Sequence, residues 1–187
     1  FQKQCMKNNI LVTFQVMKSS LVTQGRNLCV SSFMESGHTH LLFIDSDIDF
    51  QATSIFKMIA ADKGVISVPY PLKDMNWDKA WQRIQAGEIK NAKDLRFKGL
   101  YRYPMKVAHE DNIQVKDGII EVTHSPTGCM LIKKETIEKM IKAYPEMEIV
   151  QKTIINGEMI NRPYYYNLFD TWFDPVNKTY MGEDFAF

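Results

Sequence analysis

Cysteine is scarce in this sequence. Only Cys5, Cys29 and Cys129 occur among 187 residues, too few and too scattered for a disulfide framework or a zinc site. A reducing, cytoplasm-like compartment fits that usage best. An excess of charge is lacking too: 23 Lys and Arg against 22 Asp and Glu leave a net +1. No strong field therefore recruits nucleic acid or an anionic membrane surface. Long apolar runs are missing. Leu41–Ile44 and Val65–Val68 fall far short of the roughly 20 residues that a membrane span takes, and the opening residues do not read as a secretory signal. Repeats, low-complexity tracts and dividing linkers are absent as well. With 45% apolar and 24% charged residues, disorder and collagen-like structure are excluded, and the length suits one domain with a proper core.

What is present alternates between strand and helix signals. Ile10–Met17 is apolar and β-branched enough for a strand, and Val22–Met34 then reads as a helix with Leu28, Phe33 and Met34 inward. His40–Ile44 (HLLFI) is a buried-strand run, followed by a short amphipathic helix over Thr53–Ala61 with Ile55, Met58 and Ile59 inward. Val65–Val68 is the next strand, stopped by Pro69-Tyr70-Pro71, because proline cannot donate to a ladder. Trp77, Trp81 and Ile84 recur at helical spacing, and Asn91–Glu110 carries no clear pattern. Ile113–Val115 and Ile119–Val122 flank Asp117-Gly118, which predicts a hairpin. Met130–Ile132 is a further strand, Lys134–Tyr144 a helix ended by Pro145, and Glu146–Asp184 reads as loop-rich with aromatics from Tyr164 to Phe173. The order predicts an α/β sheet, mainly parallel in the first half and mixed in the second. Phe1–Lys7 reads as the last turns of a helix, and Tyr180–Phe187 as a helix start cut short. The expectation is a single domain, truncated at both ends, that belongs to a longer protein and lacks its N-terminal strand.

Four places carry chemistry. The first is Asp45-Ser46-Asp47, at the carboxyl end of HLLFI, where ligands of open α/β sheets bind. Two unscreened carboxylates about 4 Å apart repel by roughly 4 kcal/mol at an effective dielectric of about 20. A hard cation, Mg²⁺ or Mn²⁺, relieves that repulsion and fills its remaining positions with phosphate and water. The competing explanation is an acidic loop that caps the following helix. The second is Gly25-Arg26-Asn27: Arg26 to bind phosphate or brace the aspartates, Asn27 to bond the loop, or merely a surface arginine and a cap. The third is Ser125-Pro126-Thr127-Gly128, where glycine permits close approach of a ligand, or a plain turn. The fourth is Gly182-Glu183-Asp184. There a carboxylate can act as general base, or both can pair with a helix dipole.

The ordered combination of these motifs, with Val65–Lys73 (VISVPYPLK) and Thr39–Phe50 around the acidic pair, resembles the nucleotide-sugar glycosyltransferases of the GT-A fold, over nearly the whole chain. It is most similar to small virus-encoded members, such as chlorovirus enzymes that glycosylate a capsid protein. The resemblance implies a Rossmann-like mixed central sheet flanked by helices. It implies that Asp45 and Asp47 hold Mn²⁺ or Mg²⁺, with Asp47 the more direct ligand and Asp45 and Ser46 near the donor's ribose and diphosphate. It places Arg26 beside the nucleotide, Thr127 and Gly128 along the sugar pocket, and Lys73 among the candidates for donor contacts. Glu183 and Asp184 match the acidic pair that supplies the base, Asp184 being favoured. Trp172, with Phe173 and Tyr164–Tyr166, is a candidate for stacking on an acceptor sugar.

The implied reaction moves a sugar from a nucleoside-diphosphate sugar, a UDP-sugar being favoured, to a glycan or protein-linked hydroxyl with inversion. This sequence departs from the family pattern in two respects. The first strand, which holds the nucleobase, is not seen, and no histidine follows the acidic pair; His124 is assigned to packing or donor contact. The runner-up is a nucleotidyltransferase using the same Asp-x-Asp site, although no glycine- and lysine-rich triphosphate loop is visible. A carbohydrate-binding module would need no acidic pair near the end. A haloacid-dehalogenase-type phosphatase would carry its Asp-x-Asp on the first strand.

Overall fold

Two apolar runs, His40–Ile44 and Cys129–Lys133, pair antiparallel along their full length, from His40 opposite Lys133 to Ile44 opposite Cys129. This computed structural model describes residues 1–98, 100–109, 111–155 and 157–187. In order, its elements are α1 (Gln2–Lys7), α2 (Val22–Glu35), β1 (His40–Ile44), α3 (Ala52–Ala60), β2 (Val65–Ser67), α4 (Trp77–Gln85), α5 (Ala92–Lys98), β3 (Lys106–Val107), β4 (Val122–His124) and β5 (Cys129–Lys133). Then follow α6 (Lys134–Ala143), β6 (Thr153–Ile155), β7 (Glu158–Ile160), β8 (Trp172–Asp174), β9 (Thr179–Met181) and α7 (Glu183–Ala186). The fold is mixed α/β. It divides into two compact units, residues 1–67 with 127–187 and residues 68–126.

The first unit is built on a sheet of order β1-β5-β2, with β5 antiparallel to both neighbours. β1 and β2 therefore run the same way, as a helical crossover between them requires. The slot between them is filled from the second half of the chain, so the expectation of a mainly parallel first half does not hold. β5 is buried from Cys129 to Ile132, which is why it reads as a continuous apolar run rather than an alternating one. α2 packs Val30, Phe33 and Met34 into a core with Phe43, Met130, Ile132, Ile137, Leu168 and Phe169. Leu28, Ile55 and Met58 are buried as the helical spacing predicts. α6 ends just before Pro145, since the residue preceding a proline is pushed out of helical geometry.

Phe169 fixes the C-terminal helix. Fully buried, it stacks on Phe187 with ring centroids 4.2 Å apart and meets Phe43 edge-on at 5.4 Å. Such pairs add about 0.5–1.5 kcal/mol each beyond the area they bury. One aromatic column thus ties β1 to the residue that follows α7.

Three expectations are corrected here. Ile10–Met17 is irregular, and Leu11 and Val16 are 82% and 93% exposed. β-propensity supplies no ladder partner, and the segment is held instead by side chains such as Thr13, whose Oγ1 lies 2.8 Å from His38 Nε2. Glu146–Asp184 is less loop-like than expected, because β6 pairs with β7 and β8 with β9. Tyr180 and Met181 belong to β9, so the terminal helix covers only Glu183–Ala186.

In the second unit, Asp117 and Gly118 both take left-handed backbone, with φ of 54° and 77°, the geometry of a tight hairpin turn. Lys116 and Ile119 exchange two 2.9 Å backbone bonds around it. The hairpin goes no further as a strand pair among the described residues: β4 begins only at Val122, and it pairs with β3. Trp77 and Trp81 form one face of α4 and are 61% and 60% exposed. Among the described residues no helix is long and apolar enough to cross a membrane.

Candidate functional site

The site grows out of the end of β1. Side chains alternate along a strand, so Phe43 and Asp45 fall on one face, and Arg26 of α2 lies against both. Its guanidinium carbon sits 5.2 Å from the centre of the Phe43 ring. One terminal nitrogen, Nη2, donates to Asp45 Oδ1 at 3.1 Å and Oδ2 at 3.3 Å. Its Nε donates to Glu183 Oε1 at 3.4 Å. Arg26 is buried, which excludes the surface-arginine reading. A guanidinium cannot shed its proton to escape burial, so it needs the two carboxylates as much as they need it.

The helix that carries Arg26 approaches the chain before it closely. A Cβ at Gly25 would lie 3.2 Å from Ser19 Cβ, so a larger residue there would need Ser19 to give way by a few tenths of an ångström.

The β1/β5 register brings in the third motif. The Asp45 N–H donates to the Gly128 carbonyl at 2.9 Å, extending the ladder one step beyond Ile44 and Cys129. Thr127, wholly buried, thereby comes next to the start of α7. Its Oγ1 donates to Asp184 Oδ1, and its backbone N–H points at the same oxygen from 3.4 Å. Gly182 begins α7, and Phe185 and Ala186 both donate backbone N–H groups to its carbonyl. Glu183 and Asp184 occupy the first helical turn, where negative charge is favoured. Burial, then the neighbouring Asp184 charge, push the Glu183 carboxyl above its usual range, and Arg26 opposes them.

After β1 the chain turns sharply, with the Ile48 N–H on the Asp45 carbonyl at 3.0 Å. Ser46 and Asp47 take the two central positions of that turn and are exposed. Asp45 is half-buried, its side chain 40% exposed. Among the described residues no group of three or more His, Cys, Asp or Glu side chains gathers into a self-sufficient metal cage. A hard cation that takes one or two carboxylates plus substrate phosphates needs no such cage; the acidic turn offers two carboxylates of that kind, Asp45, whose two oxygens face Arg26, and the exposed Asp47.

Arg26, Asp45, Thr127, Gly128, Glu183 and Asp184 are therefore brought together, while Ser46 and Asp47 lie one turn away. Trp172 is half exposed on β8, opposite Met181 of β9. Lys73 and His124 belong to the second unit; Lys73 is exposed, and His124 Nδ1 lies 2.9 Å from Thr123 Oγ1. Burial pushes the Cys29 thiol up against the pull of Arg26, so this cysteine offers no ready thiolate.

One participant was not legible as such. Phe43, the ring beneath Arg26, is signalled only by its period-two relation to Asp45. Asn27 does bond a loop, but the loop is Asn167–Phe169: its amide meets both backbone groups of Phe169, at 2.8 and 3.0 Å.

Compared with protein-family models, with curated proteins and with solved structures, the chain matches none.

Proposed function

We propose that this chain is the catalytic part of a metal-dependent glycosyltransferase of the GT-A type, which moves a sugar from a nucleoside-diphosphate sugar, UDP-linked by preference, to a hydroxyl of a glycan or glycoprotein. The observation that carries this reading is the convergence of Arg26, Asp45, Thr127 and the Glu183-Asp184 pair, drawn from four separate stretches of sequence, at the carboxyl end of β1. Metal-dependent sugar transfer needs carboxylates for a cation, a cation-bearing side chain near phosphate and a carboxylate base within one small space. A mixed α/β fold with the acidic turn beyond a strand's carboxyl end supports the same reading.

Asp45 and Asp47 would hold Mn²⁺ or Mg²⁺, which when bound neutralises charge building on the departing diphosphate. Arg26 holds Asp45 in place and adds fixed positive charge beside it. Asp184 takes the proton from the acceptor hydroxyl as that oxygen bonds to the anomeric carbon. The bond from the anomeric carbon to the diphosphate oxygen breaks, the nucleoside diphosphate departs with the electron pair, and the configuration inverts. Glu183, tied to Arg26, keeps the base at its station. Trp172 offers a stacking face for the acceptor.

A thermal-shift screen of nucleotide sugars with and without Mn²⁺ tests the proposal. A donor at about a hundred times its Kd adds about 2.7 kcal/mol of stability, and the midpoint should rise only when Mn²⁺ is present. A screen in which no nucleotide sugar moves the midpoint overturns the reading. A response to nucleoside triphosphates alone replaces it with nucleotidyl transfer.

A further inference from the structure

Thr127 has no exposed surface, so its hydroxyl is not displayed to a ligand. Both of its donors, the Oγ1 hydroxyl and the backbone N–H, converge on a single oxygen, Oδ1 of Asp184. Among the described residues no hydrogen bond falls on Oδ2. A carboxylate gripped through one oxygen is fixed in rotamer and presents the other. The next residue does the same for the opposite half of the site, since the Gly128 carbonyl receives the Asp45 N–H at 2.9 Å. One dipeptide at the head of β5 thus sets the spacing between Asp45 and Asp184. α7 is only four residues long, too short to hold a side chain on its own.

We propose that Thr127 is a positioning residue, whose buried hydroxyl aims Oδ2 of Asp184 at the acceptor hydroxyl, rather than a lining of the donor-sugar pocket. The inference rests on the glycosyltransferase reading, in which Asp184 is the base. Misplacing a reacting group by about 1 Å can cost of the order of a hundredfold in rate, and the effect falls on the chemical step.

The test compares Thr127→Val, which keeps the shape and removes the hydroxyl, with Thr127→Ser, which keeps the hydroxyl and removes the methyl. With the donor that the wild-type chain turns over, Thr127→Val should lower kcat about ten- to a hundredfold with donor KM unchanged, and Thr127→Ser should recover most of that loss. In an Asp184→Ala background, Thr127→Val should cost nothing further. A raised donor KM with kcat intact, a serine variant as poor as valine, or additive losses would overturn the proposal. If the wild-type chain turns over no nucleotide sugar, the functional reading falls, and base positioning with it. A second cycle on the same four proteins, read by urea midpoint, then decides the contact alone. A double variant that unfolds where Asp184→Ala does keeps the Thr127–Asp184 tether, and additive shifts remove it.

Discussion

Nε of Arg26 lies 3.4 Å from Oε1 of Glu183, a residue 157 positions further along the chain. This contact, with the one from the same guanidinium to Asp45, joins the helix before the central sheet to the last helix of the chain. It turns two remote sequence motifs into one electrostatic unit. Arg26 is the hub, because only a planar fork with several donors reaches two carboxylates from one buried position.

Replacing Arg26 by Met should therefore cost stability. Breaking a fully buried ion pair costs about 3–5 kcal/mol. Here Asp45 and Glu183 keep some access to water, with side chains 40% and 18% exposed, so about 1–3 kcal/mol is expected. At roughly 2–4 °C per kcal/mol, thermal unfolding should drop by several degrees. Arg26→Lys should fail to restore it, since an ammonium does not span both partners. A midpoint unchanged in Arg26→Met would mean that the guanidinium does not bridge the two carboxylates.

Glu183 sets a pH dependence of definite sign. Burial and the Asp184 charge raise its folded-state affinity for a proton above the ordinary value of 4.5. Between the unfolded and the folded pKa the native state then holds more proton than the unfolded one, so stability falls as pH rises through that window. Below 4.5 the penalty is absent. Urea midpoints from pH 4 to 7 should show Glu183→Gln gaining on the wild type as pH rises from 4.5, and levelling once the window is passed. A constant difference between the two proteins across the range would contradict the assignment.

Asp47 should divide stability from function. It stands exposed in the turn after β1, where a surface contact contributes about 0–1 kcal/mol. Asp47→Ala should leave the ligand-free melting point within about 4 °C of the wild type. It should also erase the Mn²⁺-dependent rise given by a nucleotide sugar. Calorimetry with that donor checks both halves, and a variant that still binds donor only with Mn²⁺ would move the metal away from this residue.

Asp184→Asn removes the base but keeps an oxygen for the Thr127 donors. Donor affinity should stay within about twofold, while turnover falls by about 10²–10⁴, the usual worth of a positioned base. Single-turnover kinetics beside donor titration separates the two effects. Loss of donor binding together with turnover would give Asp184 a structural role.

Local chemistry made much of this molecule readable. β1 is the HLLFI run itself, and α2 and α3 lie within two residues of their periodic patterns, because one buried face forces apolar residues into register. Asp-x-Asp after the apolar HLLFI run points to the end of β1, where Arg26, Asp45, Thr127 and the Glu183-Asp184 pair meet. Pairing was not readable. Nothing in CMLIK announces that it inserts between β1 and β2 and delivers Thr127 and Gly128 to Asp45, because register is a long-range choice among many strands. Ile10–Met17 shows the converse, a strand-like composition that finds no ladder. β6 and β7 pair where the composition reads as loop, and Gly157 beside them has φ of 85°.

Asn27 offers the sharpest stability test outside the ionic cluster. Its carboxamide is buried and works in both directions: Oδ1 accepts the Phe169 N–H at 2.8 Å, and Nδ2 donates to the Phe169 carbonyl at 3.0 Å and to Asn167 Oδ1 at 3.1 Å. That clamp holds Phe169, whose ring stacks on Phe187. Asn27→Ala strands the backbone groups of Phe169 away from water, and each orphan costs about 1–3 kcal/mol, so a loss of about 2–4 kcal/mol is expected. Asn27→Asp keeps the acceptor for the Phe169 N–H but turns a carboxylate oxygen toward two other oxygens. It should be at least as damaging as alanine at pH 7 and recover in mild acid, where a protonated carboxyl can donate again. Denaturant unfolding of the three proteins at pH 7 and pH 5 reads this directly. If alanine and aspartate variants unfold with the wild type, the Asn167–Phe169 segment is held by its aromatic packing alone.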